Sequence, residues 1–392
     1  GRAAAIAHYS AEARALLTSG QVLRDAEQRQ RFEEPLRRAE EHLEYVLGAT
    51  EDIYRLHEVL TGRFGARLFY QLPEVTARYM RKMALHRDCM EEFDTRSEFE
   101  ERATPYHLAN ALSVLKAAGC ADAARSLFDE ALALQWQGRR PIRWQSEAQT
   151  PAVYIEGLEH RPYWDGEHRP AVAGLLEQHI DDVREDLREL PRGRGGGLMA
   201  KLLPAAPGPG KAPNQVPAYP NLVEETGEGV WDMVQVYVNR QWNPEACALM
   251  PRTSKLLRDH LPSTEVPYTH YNTEEVVLFL LAPGSSVRLH NGGSNAPINT
   301  HFGIAGCDGA HVEVGGEPRA LRDGAAVCFD DGTDHRVWHT GSEERWVLTV
   351  RMMHPQLARH PAAYFSRAFT RRTCFEDWSE ARHKALVAGA AE

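Results

Sequence analysis

Several patterns that would identify a familiar class of protein are missing from this sequence. Its six cysteines are far apart and form no CxxC pair, which argues against a zinc ribbon or a dense disulfide framework. The longest apolar runs, such as Val276–Ala282, are much shorter than the ~20 residues of a membrane span. Acidic residues outnumber basic residues by 55 to 45, so the overall positive charge typical of nucleic-acid-binding proteins is absent. We therefore expect no nucleic-acid partner and no membrane segment within these residues.

Nothing in the sequence identifies the cellular compartment. The chain begins with Gly1-Arg2 rather than Met, so we expect the natural protein to extend further at this end, where a targeting segment would lie. Hydrophobic and charged residues make up 43% and 26% of the chain, as in ordinary globular proteins. The conspicuous feature is the presence of 18 histidines, because histidine is the commonest metal ligand.

Changes in composition divide the 392 residues into three parts. Helical periodicity extends over residues 1–140, strand-like patterns and turn residues mark residues 141–360, and residues 361–392 return to a helical pattern. Within the second part, Ala171–Leu190 predicts one charged helix, and the Gly- and Pro-rich residues 191–220 predict a loop. We therefore predict an α+β protein in which a helical domain precedes a β domain and a helical tail.

The clearest helical pattern lies in His107–Leu134. It predicts two short helices hinged at Gly119-Cys120, with Phe128 and Leu132 filling the groove between them. This pattern resembles a tetratricopeptide-type (TPR) repeat, and an ordinary helical bundle is the alternative.

The β region contains many short β-branched or apolar runs separated by turns, which is typical of a sandwich or barrel. The predicted strands are Met233–Val238, Val276–Leu281, Ile298–Ile304, His311–Val314, Ala325–Phe329 and Trp346–Val350.

Three residues of the β region have the order expected of an iron(II)/2-oxoglutarate oxygenase. His290 and His335 each lie at the end of a strand beside a tight turn, and Arg345 begins the next strand. Imidazoles suit Fe(II), and an arginine fork suits the distal carboxylate of 2-oxoglutarate. Most such sites, however, have Asp or Glu two residues after the first histidine, where this chain has Gly292. A cupin-like barrel that binds another metal, or none, is therefore an open alternative on this evidence.

The same segments resemble the aspartyl/asparaginyl β-hydroxylase family. The resemblance rests on the histidine-bearing strings HNGGSN, THFGI and FDDGTDHRVW, which begin at His290, Thr300 and Phe329, and on Arg345 followed by His354-Pro355. In this family two histidines hold the iron without a carboxylate ligand, and glycine stands at the position of Gly292. The resemblance thus implies a double-stranded β-helix (jelly-roll or cupin-like) oxygenase domain after TPR-like helices.

The resemblance also implies residue roles and a reaction. His290 and His335 would bind Fe(II), Arg345 would bind the distal carboxylate of 2-oxoglutarate, and His301 would contact this cosubstrate. With O2 as the oxidant, the enzyme would hydroxylate the β-carbon of Asp- or Asn-type residues in a peptide or protein, releasing succinate and CO2. The helical repeats would present that substrate. Some members of this family are anchored in the endoplasmic reticulum. The resemblance therefore implies such a location as one expectation, and a cytoplasmic location is the other.

The chain departs from the family at the substrate pocket. An Arg-x-Arg pair that holds the acidic substrate in animal members is replaced by Pro297 and Asn299, and Phe279 replaces a hydroxyl near the 2-oxoglutarate carboxylate. Candidate substrate-binding residues are therefore Asn299, Arg288, Trp338 and Trp231. Two alternatives follow from the departure: an oxygenase of a small molecule or lipid, and a non-catalytic repeat or cupin-like binding protein.

Overall fold

A computed structural model describes most of the β region and part of the helical region. The described residues are 37, 73–85, 106–117, 119–133, 144–151, 154–190, 223–224, 231–238, 241–261 and 274–359. The predicted loop at 191–220 and the predicted tail at 361–392 lie outside them, and the domain boundaries near 140 and 360 stay predictions. No helix in the described ranges has both the length and the apolar composition needed to cross a membrane.

Three helices, α1 (Pro73–Ala84), α2 (Tyr106–Ala117) and α3 (Ala121–Ala133), pack against one another. The inward face of α2 carries Leu108, Ala111, Leu112 and Leu115, whose spacing of three and four residues places them on one stripe. The chain turns between α2 and α3 at Gly119, whose φ of 77° is readily adopted only by glycine. The predicted helix pair is therefore present, and its membership of a TPR array stays a prediction.

One packing prediction in this pair is wrong. Phe128 is buried and stacks on Trp144 with ring centroids 6.3 Å apart, but Leu132 is 44% exposed. Leu132 lies one helical turn beyond Phe128, where nothing in the described residues covers the helix.

The predicted helix at Ala171–Leu190 is two helices, α4 (Ala171–Gln178) and α5 (Ile180–Glu189). The break lies at His179, whose ψ of 27° departs from helical geometry. The break turns α5, so that Val172 and Leu176 of α4 and Val183 and Leu187 of α5 all pack into one core. Two shorter helices, α6 (Pro244–Leu249) and α7 (Pro251–Arg258), were not predicted.

Eleven strands are found in the described residues, and all pairings are antiparallel. They are β1 (Val223–Glu224), β2 (Trp231–Val238), β3 (Gln241–Trp242), β4 (Glu275–Leu281), β5 (Ser286–His290), β6 (Pro297–Ala305), β7 (Ala310–Val314), β8 (Glu317–Ala320), β9 (Ala326–Asp330), β10 (His335–His339) and β11 (Arg345–Met353). All six predicted strands are among them, with slightly different ends.

The strands form two sheets, as in a double-stranded β-helix. One sheet has the order β1-β5-β10-β7-β8 and the other the order β3-β2-β4-β11-β6-β9. Between the sheets lies an apolar core that includes Val312, Val337 and Val347. This architecture confirms the predicted sandwich or barrel.

The six-stranded sheet separates two different environments because side chains alternate along a strand. On β11, Leu348 and Val350 pack with the helices α4, α5 and α7 on the outer face. Val347 instead contributes to the core between the sheets. The odd-numbered residues of β11, which include Arg345 and Arg351, therefore share the inner face with Val347.

Candidate functional site

The structure brings His290 and His335 together. His290 ends β5 and His335 begins β10, and the antiparallel pairing of these strands sets the two residues directly opposite each other. Their ring centroids are 4.2 Å apart. Strand pairing thus brings together two histidines that are far apart in the sequence, as the strand-end positions of both residues predict.

Each imidazole has one nitrogen committed to the backbone. Nδ1 of His290 lies 2.7 Å from the carbonyl oxygen of Arg288, and Nδ1 of His335 lies 2.7 Å from that of Thr333. Because a carbonyl only accepts, both Nδ1 atoms donate, and the lone pair of a neutral ring is then on Nε2. In metal sites, a hydrogen bond from the other ring nitrogen fixes the tautomer of the histidine ligand in the same way.

Both rings are neutral at physiological pH, as a metal ligand must be. Burial, reinforced by the positive charge that His335 would carry, lowers the pKa of His290 to about 3. Burial also lowers the pKa of His335. The arrangement therefore favours two unprotonated Nε2 atoms on neighbouring rings.

The position two residues after the first histidine has no room for a side chain. The amide of Gly292 donates to the backbone oxygen of Asp331 at 2.7 Å, and a Cβ on Gly292 would come within 1.9 Å of Asp331 Oδ2. The Asp331 carboxylate thus fills the space that a third ligand at position 292 would need. Within the residues that the structure describes, no group of three or more His, Cys, Asp or Glu side chains is arranged to hold a metal.

Arg345 is a buried cation with no anionic partner among the described residues. Its residue is 3% exposed, and its Nε and Nη1 atoms have no hydrogen-bond partner among the described residues. Burial lowers the pKa of Arg345 to about 10, so the guanidinium stays charged at neutral pH. Buried charges are normally paired, because desolvation is costly. This orphaned fork therefore forms a site suited to a carboxylate or another anion.

His301 lies next to the histidine pair, from which the ring of Phe329 separates it. It lies on the inner face of β6, and its ring packs edge-on against Phe329 at a centroid distance of 4.8 Å. Phe329 in turn contacts the ring of His335 at 5.0 Å. Burial, followed by the positive charges of Arg345, His335 and His290, lowers the pKa of His301 well below its ordinary value. His301 is therefore neutral, and its buried Nδ1 has no partner in the described residues.

The predicted substrate residues are placed less uniformly. Asn299 is buried beside the site and donates to Asp331 Oδ1 at 2.5 Å. Trp338 stacks on His311 at 5.2 Å, on the opposite face of β10 from His335. Arg288 donates to the carbonyl oxygen of Ala117 in the helical region at 3.3 Å. Trp231 begins β2, and its side chain is outside the described residues.

Sequence reasoning missed Arg351. Its Nε donates to Asn299 Oδ1 at 3.2 Å, and its Nη2 lies 3.2 Å from Asp331 Oδ2. A third neighbour is Glu275, whose Oε2 is 3.6 Å from Nη1. Strand alternation could have indicated it, since Arg351 is an even number of residues from Arg345 and lies opposite Asn299 in the sheet.

Phe279 lies in register with Val347, two positions along the strands from the pair formed by Leu281 and Arg345. The residue that replaces the family's hydroxyl is therefore close in the sheet to the orphaned guanidinium.

Comparison with known proteins agrees with this geometry. Residues 210–355 match the sequence profile of the aspartyl/asparaginyl beta-hydroxylases. This segment belongs to that family. The human aspartyl/asparaginyl beta-hydroxylase is 27% identical over 221 residues, which cover 56% of this chain and 26% of that protein. Mouse aspartate beta-hydroxylase domain-containing protein 2 is 30% identical over 139 residues, covering 35% of this chain and 39% of that protein.

The chain thus aligns with well under half the length of these relatives. Among solved structures, a Pseudomonas putida prolyl-4-hydroxylase is 15% identical and gives a TM-score of 0.24 over 50% of this chain and 92% of that chain. A 2OG-Fe(II) oxygenase-family oxidoreductase from Burkholderia pseudomallei gives 0.23 at 14% identity, over 31% of this chain and 65% of that chain. Likenesses of this size support no inference about activity.

Proposed function

We propose that this protein is an Fe(II)/2-oxoglutarate-dependent oxygenase that hydroxylates its substrate. The observation that carries the proposal is that Nε and Nη1 of the buried Arg345 have no partner among the described residues, in the same β domain as two neutral, backbone-oriented histidines. A cation held without an anion lowers stability unless a ligand supplies the negative charge. The distal carboxylate of 2-oxoglutarate has the charge and the planar shape that this fork accepts.

Each residue then has a distinct part. His290 and His335 would hold Fe(II) through Nε2, Arg345 would hold the distal carboxylate, and His301 would donate to or accept from the same cosubstrate. Bound iron with 2-oxoglutarate and O2 supplies the oxidising chemistry, and succinate and CO2 are released. Phe329 keeps the rings of His301 and His335 in place and excludes water between them. The protein thus supplies orientation and electrostatics.

For the substrate, we propose the β-carbon of an Asp- or Asn-type residue in a peptide or protein. The family's arginine pair is replaced by Pro297 and Asn299, but Arg351 lies opposite Asn299 and is bonded to it. The Arg351 side chain is 26% exposed, and its Nη1 makes only a long ion pair, at 3.6 Å, with Glu275 Oε2, which is itself 29% exposed. A cation on β11 would therefore serve the substrate's acidic group in place of the cations missing from β6.

The decisive experiment measures succinate formation. Purified protein is incubated with Fe(II), 2-oxoglutarate and a panel of Asp- and Asn-containing peptides, with His335→Ala as the control. We expect succinate from the wild type alone and a mass increase of one oxygen on an acidic peptide. Equal inactivity of wild type and variant would refute the enzyme and favour a binding protein. Turnover of a free metabolite or lipid, with no peptide modified, would instead refute the peptide substrate.

A further inference from the structure

A buried lysine of the helical region reaches the loop that precedes His335. Lys116 lies in the last turn of α2, and its Nζ is 2.7 Å from Asp334 Oδ2. The two side chains are only 7% and 9% exposed. Nζ also donates to the carbonyl oxygen of Glu147 at 2.5 Å and to Thr150 Oγ1 at 3.0 Å. All three donors of the ammonium group are thus used, which fixes its position.

Asp334 joins the two segments that carry the histidine pair. It immediately precedes His335, and its Oδ1 accepts from Asn291 Nδ2 at 2.8 Å. Asn291 immediately follows His290. One carboxylate therefore bonds to Lys116 with one oxygen and to the His290 segment with the other, while its own backbone continues into His335.

Strand pairing is irregular next to the histidine pair. The pairing of β10 with β5 is interrupted by a register shift between His335 and Val337. A register shift removes regular ladder bonds and bends the strand. The connection through Asp334 lies at the interrupted end, where it constrains the separation of the two histidines.

The charge of Asp334 needs the lysine. Both side chains are almost fully buried, and a buried carboxylate is stable only when it is paired or fully hydrogen-bonded. Without the cation, the carboxylate would turn towards solvent. That movement would alter its bond to Asn291 and the path of the backbone into His335.

We propose that Lys116 is a positioning residue for the histidine pair, so that helix α2 is a structural component of the iron site. The inference rests on the proposed function for the identity of the site. The packing of α2 against β5 and the bond from Arg288 to Ala117 show that the contact extends beyond one ion pair. The helical region therefore contributes to the site itself in addition to any part in presenting substrate.

The test is titration of the metal-free protein with Co(II) alone, followed by calorimetry and by the visible spectrum of the bound ion. Lys116→Met should weaken Co(II) affinity about 10- to 100-fold, as loss of supporting interactions typically does. Lys116→Arg should recover part of that loss. Arg125→Met is the matched control, because Arg125 is 69% exposed and also contacts Glu147, at 3.3 Å. It should leave affinity and spectrum unchanged.

The direction in which Co(II) affinity changes distinguishes a positioning role of Lys116 from a purely electrostatic effect. Removing a cation near a metal site strengthens Co(II) binding by electrostatics alone. Unchanged or tighter binding by Lys116→Met would therefore overturn the proposal. His335→Ala tests the site independently, because Co(II) binding that survives His335→Ala would refute the metal site and with it the proposed function.

Thermal unfolding of each metal-free variant checks that the variant is folded. If Lys116→Met does not fold, the double variant Lys116→Met/Asp334→Asn removes the uncompensated carboxylate and is used in its place. Weakened Co(II) binding by this folded double variant supports positioning. Wild-type affinity in the double variant would show that Lys116 only neutralises Asp334, and would overturn the proposal.

Discussion

Replacing Arg345 by methionine should change stability and ligand binding in opposite directions. Burial lowers the pKa of Arg345 from 12.5 to about 10. At about 1.4 kcal/mol for each tenfold change, its charged form is about 3 kcal/mol less favourable in the protein than in water. Methionine fills a similar volume without a charge. We therefore expect the free energy of unfolding of the ligand-free protein to rise, by at most about 3 kcal/mol.

The ligand-bound protein should behave differently. At a concentration of 100 times Kd, 2-oxoglutarate should stabilise the wild type by about 2.7 kcal/mol. Arg345→Met loses the charge-assisted bonds to the distal carboxylate, so 2-oxoglutarate should barely stabilise it. The variant should therefore be more stable without ligand and should respond less to 2-oxoglutarate. General damage to the fold does not produce this combination.

The assay is thermal unfolding with Mn(II) in place of iron, with and without 2-oxoglutarate. At about 2–4 °C per kcal/mol, both effects are several degrees in Tm. Arg336→Met is the control, because Arg336 is 51% exposed and is bonded to Glu313. The reasoning is refuted if Arg345→Met lowers the Tm of the ligand-free protein and keeps the full response to 2-oxoglutarate.

Three further predictions follow from the same site. Gly292→Ala should destabilise by about 1–3 kcal/mol in denaturant unfolding, because its Cβ would meet Asp331, while Gly293→Ala, with nothing within 4 Å, should be nearly neutral. Arg351→Gln should raise KM for acidic peptides about 10- to 100-fold without changing KM for 2-oxoglutarate, and an equal rise for neutral peptides would contradict its role. Burial raises the pKa of Asp330 from 3.8 to about 8. The folded metal-free protein therefore binds this proton more tightly than the unfolded chain, so its stability should fall as pH rises between these values, a slope that Asp330→Asn should flatten.

The histidine pair and Arg345 could be placed from the sequence because strand ends and strand order are local signals. Strand alternation also indicates that Arg351 shares a face with Arg345, but the contacts of Arg351 and Asp331 with Asn299 could not be predicted, since they depend on the register of β6 with β9 and β11. Register is set by packing over the whole sheet.

The position of Trp338, in contrast, could have been predicted from the strand pattern alone. It is three residues from His335 on the same strand, so the two side chains point to opposite faces. Counting along β10 would have placed Trp338 away from the histidines. Leu132 and the break at His179 depended instead on which neighbours cover each helix, and helical periodicity alone does not supply that information.

The length of β11 has a consequence for how this protein can vary. Arg345 and Arg351 both lie on its inner face, and six residues at about 3.3 Å each separate their backbones by about 20 Å along the strand. Loss of a single residue between them would turn one arginine into the layer of helices and leave a leucine or valine facing the site. The distance between the two cations is therefore changed only in steps of two residues, whereas a substitution at either end changes the chemistry of the site and leaves this spacing intact.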